Sequence, residues 1–223
     1  MAQPTRVKIC GVGRVEDALA AARAGADAIG LVLHRASARY VDAGRARAII
    51  DALPPFVTPV GLFVGAPAYE VKQTAAALGL RHVQLHGDED ADCVGQLRDL
   101  VVIKAIRVAR ESFRPELNAW RAAIAAKKLS NLRGIVLETA ASLPGGTGLA
   151  NDWAFLRECQ EQGMFEDMPA IIAAGGLAPE TVGAVIGDLH PWAVDVSSGV
   201  EIAKGIKSVE RILAFVEAVR AAK

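Results

Sequence analysis

The sequence is poor in cysteine and in aromatic residues, and it has no excess of either charge. Its 223 residues include three cysteines, aromatic residues make up 5%, and 25 basic residues balance 25 acidic ones. Proteins that bind nucleic acid usually carry a basic excess or patch, so this balance argues against a nucleic-acid partner. The widely spaced Cys10, Cys93 and Cys159 fit no disulfide or metal-ligand pattern, which predicts a reducing, cytoplasmic setting.

Long apolar runs are also missing. No run approaches the roughly 20 residues that a membrane-spanning helix needs, so we expect no membrane partner. The first residues lead directly into a strand pattern, which predicts that there is no signal peptide. Hydrophobic residues nevertheless make up 52% of the chain. That share is enough for a large buried core and argues against disorder.

Short apolar segments alternate with helix-like segments along the whole chain. Between the apolar segments, hydrophobic residues recur at the three- and four-residue spacing of an amphipathic helix. The segment at residues 28–33 is continuously apolar, which is typical of a strand buried on both faces. The strand-like segments lie at residues 7–10, 28–33, 57–64, 82–86, 101–108, 134–137, 169–173 and 192–196. Eight such units predict a single-domain (β/α)₈ barrel over residues 1–223. A doubly wound open sheet is the competing fold.

Single residues predict where several helices begin and end. Gly25 and Gly79 are placed to end the first and third helices, because glycine readily adopts the left-handed conformation found there. Asp88 and Asp152 are placed to cap the fourth and sixth helices. The fifth helix is predicted to begin after Pro115.

Polar residues at the strand ends are the candidate catalytic groups, because barrels of this kind carry their active sites at the C-terminal ends of the strands. Cys10 ends the first strand, and Lys8 lies on the same face, where its charge would favour the thiolate. Glu138 ends the sixth strand. Gln84 and His86 share one face of the fourth strand and suit either substrate binding or a structural hydrogen-bonding role.

Loops rich in glycine or serine follow the sixth, seventh and eighth strands. Glycine lets backbone N–H groups approach an anion, and serine hydroxyls add donors. One such loop is common turn chemistry, but three on consecutive strands can converge on one ligand and predict a phosphate site. The candidate phosphate-binding residues are Gly145, Gly146, Gly148, Gly175, Gly176, Ser197, Ser198 and Gly199. Arg39, in the loop after the second strand, suits a carboxylate.

Several motifs together resemble the phosphoribosylanthranilate isomerase family of tryptophan biosynthesis, which has this barrel. The resemblance covers nearly the whole chain. Its motifs are Lys8-Ile9-Cys10-Gly11, Ser37-Ala38-Arg39-Tyr40-Val41, Val83-Gln84-Leu85-His86-Gly87, Gly145-Gly146-Thr147-Gly148, Ala174-Gly175-Gly176-Leu177 and Val194-Asp195-Val196-Ser197-Ser198-Gly199-Val200-Glu201.

The resemblance implies an Amadori rearrangement of N-(5-phosphoribosyl)anthranilate that uses no metal and no organic cofactor. It implies that Cys10 is the general base and that Glu138, where the family usually has aspartate, is the general acid. Arg39 would hold the anthranilate carboxylate and the three loops the phosphate. Asp195 would contact the sugar hydroxyls or brace a loop.

Two alternatives stay open at this stage. One is a related aminoaldose isomerase of histidine biosynthesis, or a form that accepts both substrates, although that second substrate has two phosphates. The other is a phosphosugar-binding barrel without catalysis. The expected partner is a small phosphosugar–anthranilate substrate, with the protein acting as a monomer or a homodimer.

Overall fold

The computed structural model describes residues 4–139 and 152–222. Eight parallel strands close into a barrel in which each strand pairs with its neighbours in sequence, and the last pairs with the first. The strands are β1 (Arg6–Cys10), β2 (Ala28–Val32), β3 (Thr58–Phe63), β4 (His82–Leu85), β5 (Val101–Val108), β6 (Leu132–Thr139), β7 (Ala170–Ala174) and β8 (Ala193–Val196). The prediction of a (β/α)₈ barrel is confirmed.

Helices connect the strands and surround the barrel. They are α1 (Val15–Ala24), α2 (Ala43–Ala52), α3 (Ala68–Leu78), α4 (Ala91–Gln96), α5 (Phe113–Lys127), α6 (Trp153–Glu161), α7 (Val182–Leu189) and α8 (Val209–Ala221). A 3₁₀ turn (Ser198–Val200) and a small hairpin, β9 (Glu201–Ala203) and β10 (Ile206–Lys207), precede α8. The sequence does not predict this hairpin, because strands this short show no periodicity. None of the described helices could span a membrane.

The predicted helix ends are mostly confirmed. Gly25 and Gly79 end α1 and α3 with φ angles of 98° and 68°, and the Asp152 side chain accepts a hydrogen bond from the first turn of α6. The predicted cap of α4 is wrong, because Asp90 and not Asp88 accepts the hydrogen bond from the first turn. Two acids stand close together there, and only the path of the loop decides which one caps.

The start of α5 also differs from the prediction. The helix begins at Phe113, so Pro115 lies inside its first turn and not before it. A proline is tolerated in that turn because the first N–H groups of a helix have no intrahelical acceptor.

The hydrophobic core has two main layers, besides a separate small cluster of Cys10, Val32 and Leu62. The larger layer lies between the strands and the helices. The smaller one fills the interior of the barrel, where mainly small and branched side chains pack together, and it consists of Ala105, Val136, Ile172, Ala174 and Ala193. Side chains alternate along a strand, so β6 and β8 place Glu138 and Asp195 two residues beyond Val136 and Ala193, on the same interior face. The strand alternation thus brings polar groups to the C-terminal end of an apolar interior.

Phe113 is expected to be among the most important core residues. It is fully buried, and its ring makes edge-on contacts with Phe155 and Phe165 at centroid distances of 5.8 and 6.4 Å. We expect Phe113→Ala to lower the free energy of unfolding by about 3–5 kcal/mol, measured by urea denaturation. Phe56→Ala is the matched control, because Phe56 is 95% exposed, and its effect should stay within about 0.5 kcal/mol. Equal losses in the two variants would contradict the assigned packing.

Candidate active site

A buried ion pair lies next to the candidate base. Lys8 Nζ donates a hydrogen bond to Asp195 Oδ2 at 2.8 Å, and both side chains are at most 7% exposed. Neighbouring strands create the pair, because Lys8 and Asp195 are register partners in β1 and β8. Burial alone would lower the pKa of Lys8, but the Asp195 carboxylate, helped by Cys10, outweighs burial and raises it. Lys8 therefore stays protonated beside Cys10.

Cys10 itself is buried, and this corrects the expectation about its thiolate. Burial raises the pKa of the Cys10 thiol, and the nearby Lys8 ammonium opposes the rise without cancelling it. The charge of Lys8 favours the thiolate, but the cost of moving a thiolate out of water is larger. Lys8 thus offsets part of the effect of burial on the pKa of Cys10. Cys93 and Cys159 lie within α4 and α6.

Gly30 on β2 makes room for the base. A Cβ atom at this position would lie 2.7 Å from Cys10 Sγ and 3.1 Å from Lys8 Nζ. Contacts below 3.0 Å force a displacement, and two groups of the candidate site stand in the way. The glycine is required here for space, since the register pairs Gly30 directly with Cys10.

The candidate acid is held in a chain of three side chains. Gln84 Nε2 lies 2.9 Å from His86 Nδ1, and His86 Nε2 contacts Glu138 Oε2 closely. His86 therefore bridges Gln84 and Glu138 through its two ring nitrogens. Gln84 is fully buried and Glu138 is 19% exposed at its side chain. The chain thus runs from the interior to an accessible carboxyl group.

Arg39 has a carboxylate partner within the protein, which the sequence analysis did not predict. Its Nε and Nη2 donate to Oε1 and Oε2 of Glu201 at 2.7 and 2.8 Å. Lys207 Nζ donates to the same Oε1 at 2.8 Å and to the backbone oxygen of Ser197 at 3.0 Å. Burial alone would raise the pKa of Glu201, but hydrogen bonds from Arg39 and Lys207 lower it. Glu201 is thus an ionised partner shared by two basic groups.

The loops after β7 and β8 meet, as the phosphate prediction requires. A Cβ atom on Gly199 would lie 1.9 Å from the backbone oxygen of Leu177, so these loops touch at a point where only glycine fits. Gly175 and Gly176 both have left-handed φ angles, 92° and 67°, which glycine adopts without strain. Two of the three predicted loops are therefore adjacent. The predicted phosphate residues of the loop after β6, namely Gly145, Gly146 and Gly148, lie outside the described residues.

Three residues of the site were missed by the sequence analysis as functional candidates. Gly30 gave no signal, because nothing in a sequence shows which glycine faces a cysteine across a sheet. Glu201 and Lys207 lie close to the serine-containing loop, so charged residues just after that loop were the available signal. Within residues 4–139 and 152–222, no group of three or more His, Cys, Asp and Glu side chains could hold a metal ion.

The arrangement defines a class of protein. A thiol and a carboxyl group stand at the C-terminal ends of β1 and β6, and basic groups with glycine-rich loops provide for anions in the same barrel. These features are those of a (β/α)₈-barrel enzyme of the acid–base type that acts on an anionic ligand.

Comparison with known proteins gives the family. Residues 7–218 match the family described as N-(5'phosphoribosyl)anthranilate (PRA) isomerase. A relative of that name from Pseudomonas putida (strain GB-1) is 48% identical over 221 residues, covering 97% of this chain and 98% of its own. One from Pseudomonas fluorescens (strain SBW25) is 49% identical over 217 residues, covering 96% and 95%. The chain belongs to the phosphoribosylanthranilate isomerase family of enzymes.

Solved structures agree with this family. The phosphoribosyl anthranilate isomerase of Thermotoga maritima superposes with a TM-score of 0.84 at 35% identity, covering 96% of this chain and 98% of the other. A second isomerase structure, in complex with reduced 1-(o-carboxyphenylamino)-1-deoxyribulose 5-phosphate, superposes with a TM-score of 0.81 at 34% identity and the same coverage.

The burial of Cys10 predicts how its reactivity depends on pH. Alkylation requires the thiolate, and the raised pKa of Cys10 means that this form appears only at higher pH. In a Cys93→Ser, Cys159→Ala background, the rate of alkylation by iodoacetamide should rise through a midpoint above that of a cysteine peptide measured in parallel. A midpoint below the peptide's would show that Lys8 outweighs burial.

Proposed function

We propose that the protein converts N-(5'-phosphoribosyl)anthranilate into 1-(2-carboxyphenylamino)-1-deoxyribulose 5-phosphate by an Amadori rearrangement. The observation that carries the proposal is the position of Cys10 and Glu138 at the C-terminal ends of β1 and β6. In the closed barrel these strands are separated by β7 and β8, so the two groups can act from different sides of one ligand. The complex of the related isomerase with a reduced form of this product supports the choice of substrate.

The proposed reaction starts with opening of the sugar ring. Glu138 donates a proton to the ring oxygen while the C1′–O bond breaks, and the nitrogen lone pair forms a C1′=N iminium. Cys10, as thiolate, then removes the proton from C2′, and the bonding electrons form the C1′=C2′ double bond and neutralise the nitrogen. Cys10 then gives its proton to C1′ while Glu138 takes the proton from O2′, which completes the ketone and leaves both groups as they began. Side chains supply both acid and base, so neither a metal nor an organic cofactor is required.

The neighbours of the acid and base support these roles. His86 Nε2 faces Glu138 and fixes the direction of its carboxyl group, as catalytic carboxyls require. Lys8 stabilises the Cys10 thiolate against burial. His86 thus orients the proposed acid, Glu138, and Lys8 stabilises the charged form of the proposed base, Cys10.

The remaining predicted site residues are proposed to bind the two ends and the middle of the substrate. Arg39 takes the anthranilate carboxylate, and the loops after β6, β7 and β8 take the phosphate. Asp195 Oδ1 and Gln84 Oε1 are buried acceptors without a hydrogen-bond partner in the described part of the chain. Buried acceptors are normally satisfied, and sugar hydroxyls are donors of the right kind. His86 is close enough to Glu138 to touch the same ligand.

The proposal extends to the protein's setting. The family serves tryptophan biosynthesis. We propose that residues 1–223 form one catalytic domain that works as a monomer or a homodimer, since the acid and the base come from one chain. One Thermotoga maritima relative is described as dimeric, with monomers generated from it. A cytoplasmic location is supported by the three free thiols, as expected in a reducing compartment.

The acid–base assignment is tested by removing each group. Substrate made in situ is fluorescent, and its loss reports turnover. Cys10→Ala and Glu138→Gln should each lower kcat by about 10²–10⁴-fold, because each removes one proton-transfer group. Cys93→Ala and Glu158→Gln make the same chemical changes on helices outside the barrel and should leave kcat within about twofold, as is usual for such sites.

Three results would change the conclusion. Undiminished turnover in both Cys10→Ala and Glu138→Gln would remove the acid–base assignment. Binding of the reduced product without turnover by the unaltered protein would favour a phosphosugar-binding barrel. Failure to restore growth without tryptophan in a strain lacking the isomerase would point to a different aminoaldose substrate.

The position of Gly30 predicts that catalysis tolerates no side chain there. Gly30→Ala places a methyl group 2.7 Å from Cys10 Sγ, and displacement of a catalytic group by about 1 Å can cost 10²-fold in rate. We expect kcat/KM to fall by roughly 10–100-fold. Gly183→Ala on α7, where a Cβ atom meets nothing within 4 Å, should leave kcat/KM unchanged. Full activity of Gly30→Ala would show that Cys10 need not keep its position.

A further inference from the structure

Glu201 is a carboxylate that lies between two basic groups from different parts of the chain. Arg39 lies in the loop after β2, and Lys207 lies in β10, six residues beyond Glu201. The side chains of Arg39, Glu201 and Lys207 are at most 7% exposed. A buried contact this well formed fixes the orientation of its members, because leaving it would strand a charge away from water.

The contact uses one particular edge of the guanidinium group. Nε and Nη2 of Arg39 both point at Glu201, at 2.7 and 2.8 Å, which is the side-on bidentate geometry. A guanidinium group has five N–H donors. The edge formed by Nη1 and the second N–H of Nη2 is therefore left for another acceptor. Across residues 4–139 and 152–222, no hydrogen bond or ion pair involves Arg39 Nη1.

The arginine lies beside the loop that follows the candidate base. Its stem passes over Gly11, the residue after Cys10, since a Cβ atom there would lie 2.5 Å from Arg39 Cδ. Hydrogen bonding to Glu201 raises the pKa of Arg39 despite burial, and the charges of Cys10 and Glu138 add to the rise. The guanidinium group of Arg39 thus interacts electrostatically with both Cys10 and Glu138.

The charge balance of the cluster also favours a further anion. Two basic groups share one carboxylate, and Lys207 additionally donates to the backbone oxygen of Ser197. When both are protonated, one positive charge is not compensated within the cluster. An ordinary one-to-one ion pair would leave no such excess, and a carboxylate on the open edge of Arg39 would neutralise it.

We propose that Glu201 is a positioning residue that fixes the plane of Arg39 so that its open edge binds the aromatic carboxylate of the substrate. The inference rests on the proposed function, because it concerns the carboxylate end of that substrate. Lys207 holds Glu201 in place and connects it to the serine loop after β8. Glu201 thereby determines specificity for ligands that carry the carboxylate, although Glu201 itself does not contact the ligand.

The test compares two ligands that differ only in that carboxylate. Reduced 1-(o-carboxyphenylamino)-1-deoxyribulose 5-phosphate and its phenylamino counterpart without the carboxyl group are titrated by calorimetry. The unaltered protein should prefer the carboxylated ligand by roughly 10–100-fold, the range for a buried charged hydrogen bond. Glu201→Gln should reduce this preference to less than about fivefold, with the loss confined mainly to the carboxylated ligand.

A matched variant separates positioning from simple loss of an ion pair. Glu158→Gln makes the same change opposite Arg114 in an exposed pair on α5 and α6 and should keep the full preference. In turnover, Glu201→Gln should raise KM more than it lowers kcat. The proposal is overturned if Glu201→Gln keeps the preference of the unaltered protein, or if it weakens both ligands equally, as a purely structural role would.

A second measurement does not depend on the folding of any variant. In a crystal structure of the unaltered protein with the carboxylated ligand, Glu201 should stay on Nε and Nη2 of Arg39 and the ligand carboxylate should lie on Nη1. Displacement of Glu201 by the ligand would overturn the inference. Neither measurement requires turnover, so an inactive protein that still shows the preference would contradict the proposed function and leave this inference standing.

Discussion

The ion pair between Lys8 and Asp195 is the interaction on which the rest of the site depends. It places a permanent positive charge inside the barrel, 2.8 Å from its carboxylate and beside the Cys10 thiol. Removal of one member of a buried pair costs roughly 3–5 kcal/mol, because the other charge is then stranded. The apolar interior below can tolerate this pair only because the two strands that carry it are hydrogen-bonded neighbours. Lys8 is the main group that opposes the effect of burial on the Cys10 thiolate.

Space is the second constraint, and Gly30 supplies it. Lys8 and Cys10 both project from β1 towards the place where β2 would carry a side chain. The site thus contains buried polar groups that are costly to remove from water, and the residue directly opposite them has no side chain. Stability alone would favour a larger apolar residue at such an interior position, as the rest of the barrel shows.

The distribution of charge explains how a chain with no net charge can bind an anion. The overall balance of 25 basic and 25 acidic residues hides a local excess, because Arg39 and Lys207 share Glu201. Local charge and not net charge determines binding of a small ligand. The zero net charge argues against a broad basic surface, but it says nothing about a few groups concentrated at one end of a barrel.

Much of the fold and part of the site follow from the sequence by itself. Hydrophobic periodicity determines the eight strands and their helices, and the strand ends then bring Cys10 and Glu138 to one face, because every strand of a parallel barrel points the same way. Local signals such as Gly25 and Asp152 fix helix ends, since they act within a few residues. Local signals fail at the start of α4, because Asp88 and Asp90 are both suitable caps and the path of the loop decides that Asp90 is used.

Only the tertiary structure decided which groups are partners and what burial does to them. Arg39 and Glu201 are 162 residues apart in sequence, and Lys8 and Asp195 are 187 apart. Such pairs depend on closure of the barrel and on strand register, which no local pattern encodes. The direction of the Cys10 pKa likewise depends on how much water is excluded around it, a property of the packed interior. The sequence determined which chemical groups the site contains, and packing determined how they are paired and charged.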